Sequence, residues 1–144
     1  MRDFGSGFEV ASLSELVKLK TLQVRSEKIV CMHPIKNQEF IRKLRDERVS
    51  ILVADSKDEL DKIFNIFPNA QVLLRLEVDN KGSDWPLTGK FGLKSSELLD
   101  LIVYSKKSGY RIHGITFHVG SQCRNLKNWE LAIKASSEIF RKSN

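Results

Sequence analysis

Three apolar runs begin at Lys28, Val49 and Gln71, about 21 residues apart, with an amphipathic stretch after each. That period leaves room for one strand, one helix and two short connections per unit, and little else. Repeated units of this kind form a parallel sheet, because the helix carries the chain back to start the next strand beside the last. A further strand, Arg111 to Phe117, follows about 40 residues later across a longer connection. Ahead of the first run, Phe8-Glu9-Val10-Ala11 has the character of the last residues of a strand. Doubly wound sheets and (β/α)8 barrels both accommodate this order.

The helices announce themselves by caps and spacing. Ser12 with Glu15, and Ser56 with Glu59, have the spacing of a capping box. Leu13, Leu16, Val17 and Leu19 give the first helix an apolar face to about Leu22, and Phe40, Ile41 and Leu44 mark a second, Ile35 to Glu47. Leu60, Ile63, Phe64 and Phe67 form the inner face of a third, ended by Pro68-Asn69. A fourth runs from Ser95 through Leu98, Leu99, Ile102 and Val103 to Gly109, and a last starts at Asn125 or Lys127 with Trp129, Ala132, Ile133, Ile139 and Phe140. Val72 to Val78 is apolar at nearly every residue, the pattern of a strand covered on both faces. Asp79 to Lys94 reads as a long loop, and long loops in compact folds are often functional.

Several function classes fall away. The 144 residues suffice for one ordinary domain, and no apolar run nears the roughly 20 residues of a membrane span. The net charge of +6 comes from scattered lysines and arginines, and aromatic residues make up only 8%. A nucleic-acid surface would need basic clusters interleaved with aromatics. Cys31 and Cys123 form no CxxC pair, which fits free thiols in a reducing compartment, the cytoplasm. Neither GxGxxG nor GxxxxGK[ST] occurs, so a Rossmann or P-loop nucleotide site has no support.

Polar residues cluster where the strands end: Glu9, His33, Asp55, Arg75 with Glu77, and His118, from five successive strands. Sites assembled from many strand ends are the barrel habit. Gly114-Ile115-Thr116-Phe117-His118-Val119-Gly120-Ser121 is the most concentrated of these ends. His118 supplies a ring that can stack or titrate near neutrality. Gly120 permits close approach of backbone to a ligand. Ser121 brings a hydroxyl and an N–H to what reads as a helix start, a favourable place for a phosphate. A strand leading into a turn, with His118 as an ordinary hydrogen-bonding residue, explains the same segment.

Six motifs in register resemble the fold-type III, pyridoxal-phosphate-dependent decarboxylases, most closely the ornithine decarboxylase type. They are Gly7-Phe8-Glu9-Val10-Ala11-Ser12 with Glu15; Pro34-Ile35-Lys36; Asp55-Ser56 with Glu59-Leu60; Leu73-Leu74-Arg75; Lys90-Phe91-Gly92; and Phe117-His118-Val119-Gly120-Ser121. The resemblance covers almost the whole chain. It implies an α/β fold, a partial (β/α)8 TIM-like barrel of about half the strands, all parallel, with residues 1–144 as one fragment of it.

The resemblance also implies roles around pyridoxal phosphate. His118 matches the histidine that stacks on the pyridine ring, and Ser121 the serine that hydrogen-bonds the phosphate. Arg75 matches the arginine under the ring, and Glu15 an acid lining the same pocket. Glu9 stands where aspartate is usual, one methylene longer. Lys90 matches a lysine that reaches an aspartate of the partner subunit in a homodimer. His33 departs from the usual asparagine before Pro34. Plainer roles exist for some of these: Arg75 and Glu77 as a buried ion pair, Glu15 as a cap only, Lys90 as a surface charge.

The family's Schiff-base lysine, in a motif like YAVKxN, would stand before Gly7-Phe8, and the chain is expected to begin after it. The later glycine-rich phosphate loop, the acid facing the pyridine nitrogen and the C-terminal β-domain are likewise expected to be absent, and Cys123 does not match that domain's cysteine. The expectation is therefore part of an enzyme converting L-ornithine to putrescine and CO2, with no catalytic residue of its own and no activity alone. A non-catalytic regulator or decoy pairing with a full-length decarboxylase is the alternative, and a diaminopimelate or arginine decarboxylase of the same fold is another. No metal, nucleic acid or membrane is implied. Marginal stability is expected from two unpaired sheet edges.

Overall fold

A computed structural model describes residues 2–85 and 89–143. The elements are β1 (Phe8–Val10), α1 (Leu13–Thr21), β2 (Ile29–Cys31), α2 (Gln38–Asp46), β3 (Ile51–Ala54), α3 (Lys57–Ile66), β4 (Gln71–Leu76), β5 (Ser83–Trp85), α4 (Ser95–Lys107), β6 (Ile112–Phe117), β7 (Ser121–Cys123) and α5 (Leu126–Ser143). Five strands form one sheet in the order β1-β2-β3-β4-β6, and every pair is parallel. Each new strand is added on the same side of the last. A doubly wound sheet reverses direction at a switch point. The unbroken order here is that of a barrel wall, with β1 and β6 at its open edges among the described residues.

One row of paired residues crosses the whole sheet: Val10 opposite Cys31, Cys31 opposite Leu52, Leu52 opposite Val72, and Val72 opposite Ile112. Its first four members are fully buried. They face the helices, which contribute Leu16, Ile41, Leu44, Leu60, Ile63 and Leu98, all fully buried as well. Burying one such side chain stabilises by about 1.5–3 kcal/mol, and this shared layer is the core. Between Val72 and Leu73 the pairing with β6 slips by one residue, so His113 stands out as a bulge and Ile115 returns to the helix side opposite Leu74.

The other face of the sheet is the barrel's inner face. Successive side chains on a strand alternate faces. In β4, Val72, Leu74 and Leu76 are buried, whereas Leu73 and Arg75 are only half-buried. Sequence reading expected β4 to be covered on both faces, and the structure covers one. The same cause corrects α5. Its buried residues are Asn128, Ala132 and Ile139, while Trp129, Ile133 and Phe140 stay about half exposed, because among the described residues no strand of the main sheet lies beyond β6 for them to pack on. Val17 and Val103, expected on inner faces, are also exposed. α2 begins later than expected, since Asn37 caps it by accepting from the Phe40 N–H, 2.8 Å away.

The two predicted capping boxes part company. At Ser12 both halves form: the Ser12 hydroxyl accepts from the Glu15 N–H, and the Glu15 carboxylate accepts from Ser12 N–H at 3.0 Å. At Ser56 only the serine half forms, at 3.2 Å from the Glu59 N–H. Glu59 is buried and turned to Lys36 instead, 3.0 Å from its Nζ. Lys36 Nζ also donates to the carbonyls of Val53 at 2.6 Å and His33 at 3.0 Å. Burial pulls the Lys36 pKa below its usual value, with the Glu59 carboxylate opposing the shift. The pair ties the Pro34-Ile35-Lys36 turn after β2 to both β3 and α3.

Removing one member strands a buried charge. Glu59→Ala is expected to lower unfolding free energy by about 3–5 kcal/mol in urea titration, and an apolar replacement of both Lys36 and Glu59 to recover most of that loss.

Candidate functional site

The inner face carries the polar residues to the C-terminal ends of the strands. In β1, Val10 is buried on the helix side, so Glu9 points inward, opposite Val30. Arg75 lies opposite Thr116 on the same inner face. Extending the β3–β4 register one residue past Ala54 and Leu74 brings Asp55 beside Arg75. Burial pulls the Arg75 pKa down from its usual 12.5, and the carboxylates of Asp55 and Glu9 counteract this. Arg75 is thus a cation that feels the charge of both acids. Glu77 forms no ion pair with it among the described residues.

A return of the chain builds the rim around Arg75. After Ala54, β3 turns away into α3, and Leu93 takes its place beside β4. Leu93 N–H donates to the Arg75 carbonyl at 3.0 Å, and Glu77 N–H to the Leu93 carbonyl at 2.8 Å. Gly92 N–H donates to Asp55 Oδ2 at 2.8 Å. Gly92 has φ +93°, and a Cβ there would lie 2.8 Å from the Glu77 backbone nitrogen. Only glycine fits so close to a strand. Phe91 is thereby laid over Arg75, with its ring centroid 5.2 Å from the guanidinium carbon, and edge-on to the His33 ring at 5.4 Å. A cation within about 6 Å of a ring face is attracted to it.

At the neighbouring strand end, His118 Nδ1 accepts from Gly120 N–H at 3.0 Å. In the neutral ring this leaves the proton on Nε2, and the imidazole is exposed. Asn80 Nδ2 donates to the carbonyls of Val78 at 2.6 Å and His118 at 3.3 Å, bridging the ends of β4 and β6. The predicted loop after β4 is not featureless: it holds β5, which pairs antiparallel with β7 through Ser83–Cys123 and Trp85–Ser121. Pro86 within that loop, with Leu87 and Thr88, lies outside the described residues. Ser121 therefore opens a β-ribbon rather than adjoining a helix start, and the last helix begins at Leu126, between the two expected starts Asn125 and Lys127. Gly120, at φ +93°, packs against Ser83 with no room for a side chain.

The predicted site residues are brought to one end of the sheet but not into one pocket. Arg75 and Glu9 sense each other's charge, and His118 and Ser121 share the β6–β7 junction. Glu9 lines a concavity of about 360 Å3 beside β2. Lys90 lines another, about 320 Å3, with Asp55, Glu77 and Phe91. Glu15 is exposed, and its carboxylate accepts from Ala11 N–H at 2.6 Å. That hydrogen bond lowers its pKa, with smaller help from Ser12 and from the nearby His33. Sequence reasoning placed Asp55 at a strand end without assigning it a partner, and gave no role to Phe91 or Gly92. Their signal was present in the Asp55-Ser56 and Lys90-Phe91-Gly92 motifs, but the splice of Leu93 onto β4 is a long-range contact that no local pattern carries.

The fold and the site define a parallel α/β barrel wall whose chemistry sits at the C-terminal strand ends. The chain belongs to the pyridoxal-dependent decarboxylases, matching their pyridoxal binding domain over residues 1–144. It is 30% identical over 143 residues to an ornithine decarboxylase of Candida albicans, covering 97% of this chain and 30% of that one. Antizyme inhibitor 2 of Xenopus laevis is 29% identical over 140 residues, 97% of this chain and 31% of the relative. The crystal structure of an arginine decarboxylase from Paramecium bursaria Chlorella virus superposes with a TM-score of 0.95 at 35% identity, covering 99% of this chain and 38% of that one. The chain thus spans about a third of the length of the relatives it matches.

The residues present suit pyridoxal phosphate, a flat anionic ring compound: an exposed imidazole, a half-buried guanidinium and an exposed hydroxyl lie at adjoining strand ends.

Two outcomes follow from this geometry. Gly92→Ala is expected to cost about 1–3 kcal/mol in urea unfolding, since strain at a positive φ adds to the backbone clash. Glu15, with a folded pKa below the usual 4.5, adds stability that is present above about pH 4.5 and lost as pH falls through the folded value. Glu15→Gln is expected to flatten the stability–pH curve in that acid range and to leave its shape near neutrality unchanged.

Proposed function

We propose that this chain is the part of an ornithine decarboxylase-like barrel that holds one side of pyridoxal phosphate. The family match across residues 1–144, with His118 and Arg75 at the strand ends, carries this reading. His118 would supply the flat ring against which the pyridine stacks. The Gly120 N–H on its Nδ1 fixes the orientation and tautomer of the neutral ring. Ser121 donates to the phosphate. Arg75, Glu9 and Glu15 set the charge around the ring, and Phe91 shields Arg75 from water so that its field is weakly screened.

When bound, the cofactor supplies an electron-withdrawing ring that takes up the electron pair left as carboxylate departs as CO2. The residues of this chain bind and orient, and none is assigned a covalent step. In the whole protein the reaction is loss of CO2 from L-ornithine to give putrescine, within polyamine biosynthesis. That protein is a homodimer in which Lys90 reaches an aspartate of the other subunit. The free thiols of Cys31 and Cys123 support a cytoplasmic setting, and no described helix is long and apolar enough to cross a membrane. The resemblance to the viral arginine decarboxylase favours a second substrate, arginine, for the same site. The resemblance to an antizyme inhibitor favours a second role, a non-catalytic partner of a full-length decarboxylase.

Equilibrium dialysis of the 144-residue protein against pyridoxal phosphate tests the reading. Saturable binding is expected, weakened about threefold to tenfold by His118→Ala, with no CO2 released from ornithine or arginine. Absence of binding sinks the cofactor-holding role. Release of CO2 by the purified chain overturns the assignment of binding without catalysis, and co-purification with a full-length decarboxylase establishes the regulatory role.

A further inference from the structure

The β5–β7 ribbon is anchored at several points. Asp84 pairs with Arg124 at 2.8 Å, Asn128 Nδ2 donates to the Lys81 carbonyl at 2.8 Å, and Ser83 fills the space above Gly120. Residues directly opposite in an antiparallel pair place their side chains on the same face, with Cβ atoms about 5 Å apart. Trp85 is opposite Ser121, so the indole and the hydroxyl share a face. Asp84, one residue earlier, takes the other face and its ion pair with Arg124. Trp85 is 66% exposed, so its indole is open to a ligand on that face. Nothing within the sheet core requires it.

We propose that Trp85 is a further ligand-binding residue, whose indole N–H donates to the phosphate that Ser121 receives. The inference rests on the reading of Ser121 as a phosphate residue. Indole is a donor with no competing acceptor, and hydrogen bonds to an ionised oxygen are among the stronger ones. Its ring walls the anionic end of the site from water, and the Gly120–Ser83 contact sets the ribbon's height above the end of β6. Trp85 acts on the phosphate end alone, so it distinguishes phosphorylated from unphosphorylated ligand and leaves the ring end to His118.

The test compares pyridoxal phosphate with pyridoxal by equilibrium dialysis against the 144-residue protein and its Trp85→Phe and Trp85→Ala variants. Far-ultraviolet circular dichroism checks that each variant is folded, and the exposure of Trp85 makes both substitutions mild. Both variants are expected to bind pyridoxal phosphate about tenfold more weakly and pyridoxal as before. Trp85→Phe that keeps full affinity for pyridoxal phosphate overturns the proposal, as does an equal loss for both ligands. A wild-type protein that prefers pyridoxal phosphate, with Trp85 variants that do so equally, removes Trp85 alone. A wild-type protein that does not distinguish the two ligands removes the role of Ser121 and that of Trp85 with it.

Discussion

The register of the sheet governs everything else in this molecule. Val10, Cys31, Leu52, Val72 and Ile112 stand in one row, and the row must face the helices because those helices have no other apolar surface to cover. Side chains alternate along a strand, so fixing that row fixes its complement. Glu9 and Arg75 are inward because Val10 and Leu74 are outward. A slip of one residue would place Arg75 in the core and Leu74 in the site. Cys31 shows how complete the exclusion of water is on the helix side: burial pushes its thiol pKa up to about 11. The same layer that supplies most of the stability therefore determines which polar groups reach the site.

Much of this was legible in the sequence, for definable reasons. The strand period, the Ser12–Glu15 capping box and the apolar faces of α2 and α3 are local patterns that survive into the fold. The residues that the motifs single out lie toward the same end of the sheet. What was not legible depended on distance. Glu59 looked like the return half of a second capping box, but Lys36, 23 positions away, claims its carboxylate. Ser121 looked like a residue adjoining a helix start, but pairing with Trp85 makes it the start of a ribbon. The faces of β4 and α5 were overestimated because an apolar residue in sequence does not say which neighbour is there to cover it.

Arg75 illustrates how the two levels combine. Its position follows from strand alternation, its charge is that of any guanidinium and is felt by Asp55 and Glu9, and the Phe91 ring packs over it. Phe91 in turn depends on Gly92, whose missing side chain allows the backbone to lie against Glu77. A guanidinium between acids and under an aromatic ring is less free to follow a ligand than one on the surface. It presents a fixed field to whatever occupies the strand ends, and preorganised charge of this kind does not need to rearrange when a reaction begins.

The splice of Leu93 onto the end of β4 also bears on how such chains diversify. Glu77 and Leu93 are joined through one hydrogen bond, so the excursion between them leaves and rejoins the sheet at a single point. Closing a longer loop between fixed ends costs little more than closing a short one. The excursion is nevertheless not free to drift: Asn80 bridges the ends of β4 and β6, and β5 is held by its pairs with β7 and by the Asp84–Arg124 ion pair. Changes in length are therefore tolerated only where the excursion has no partner outside itself.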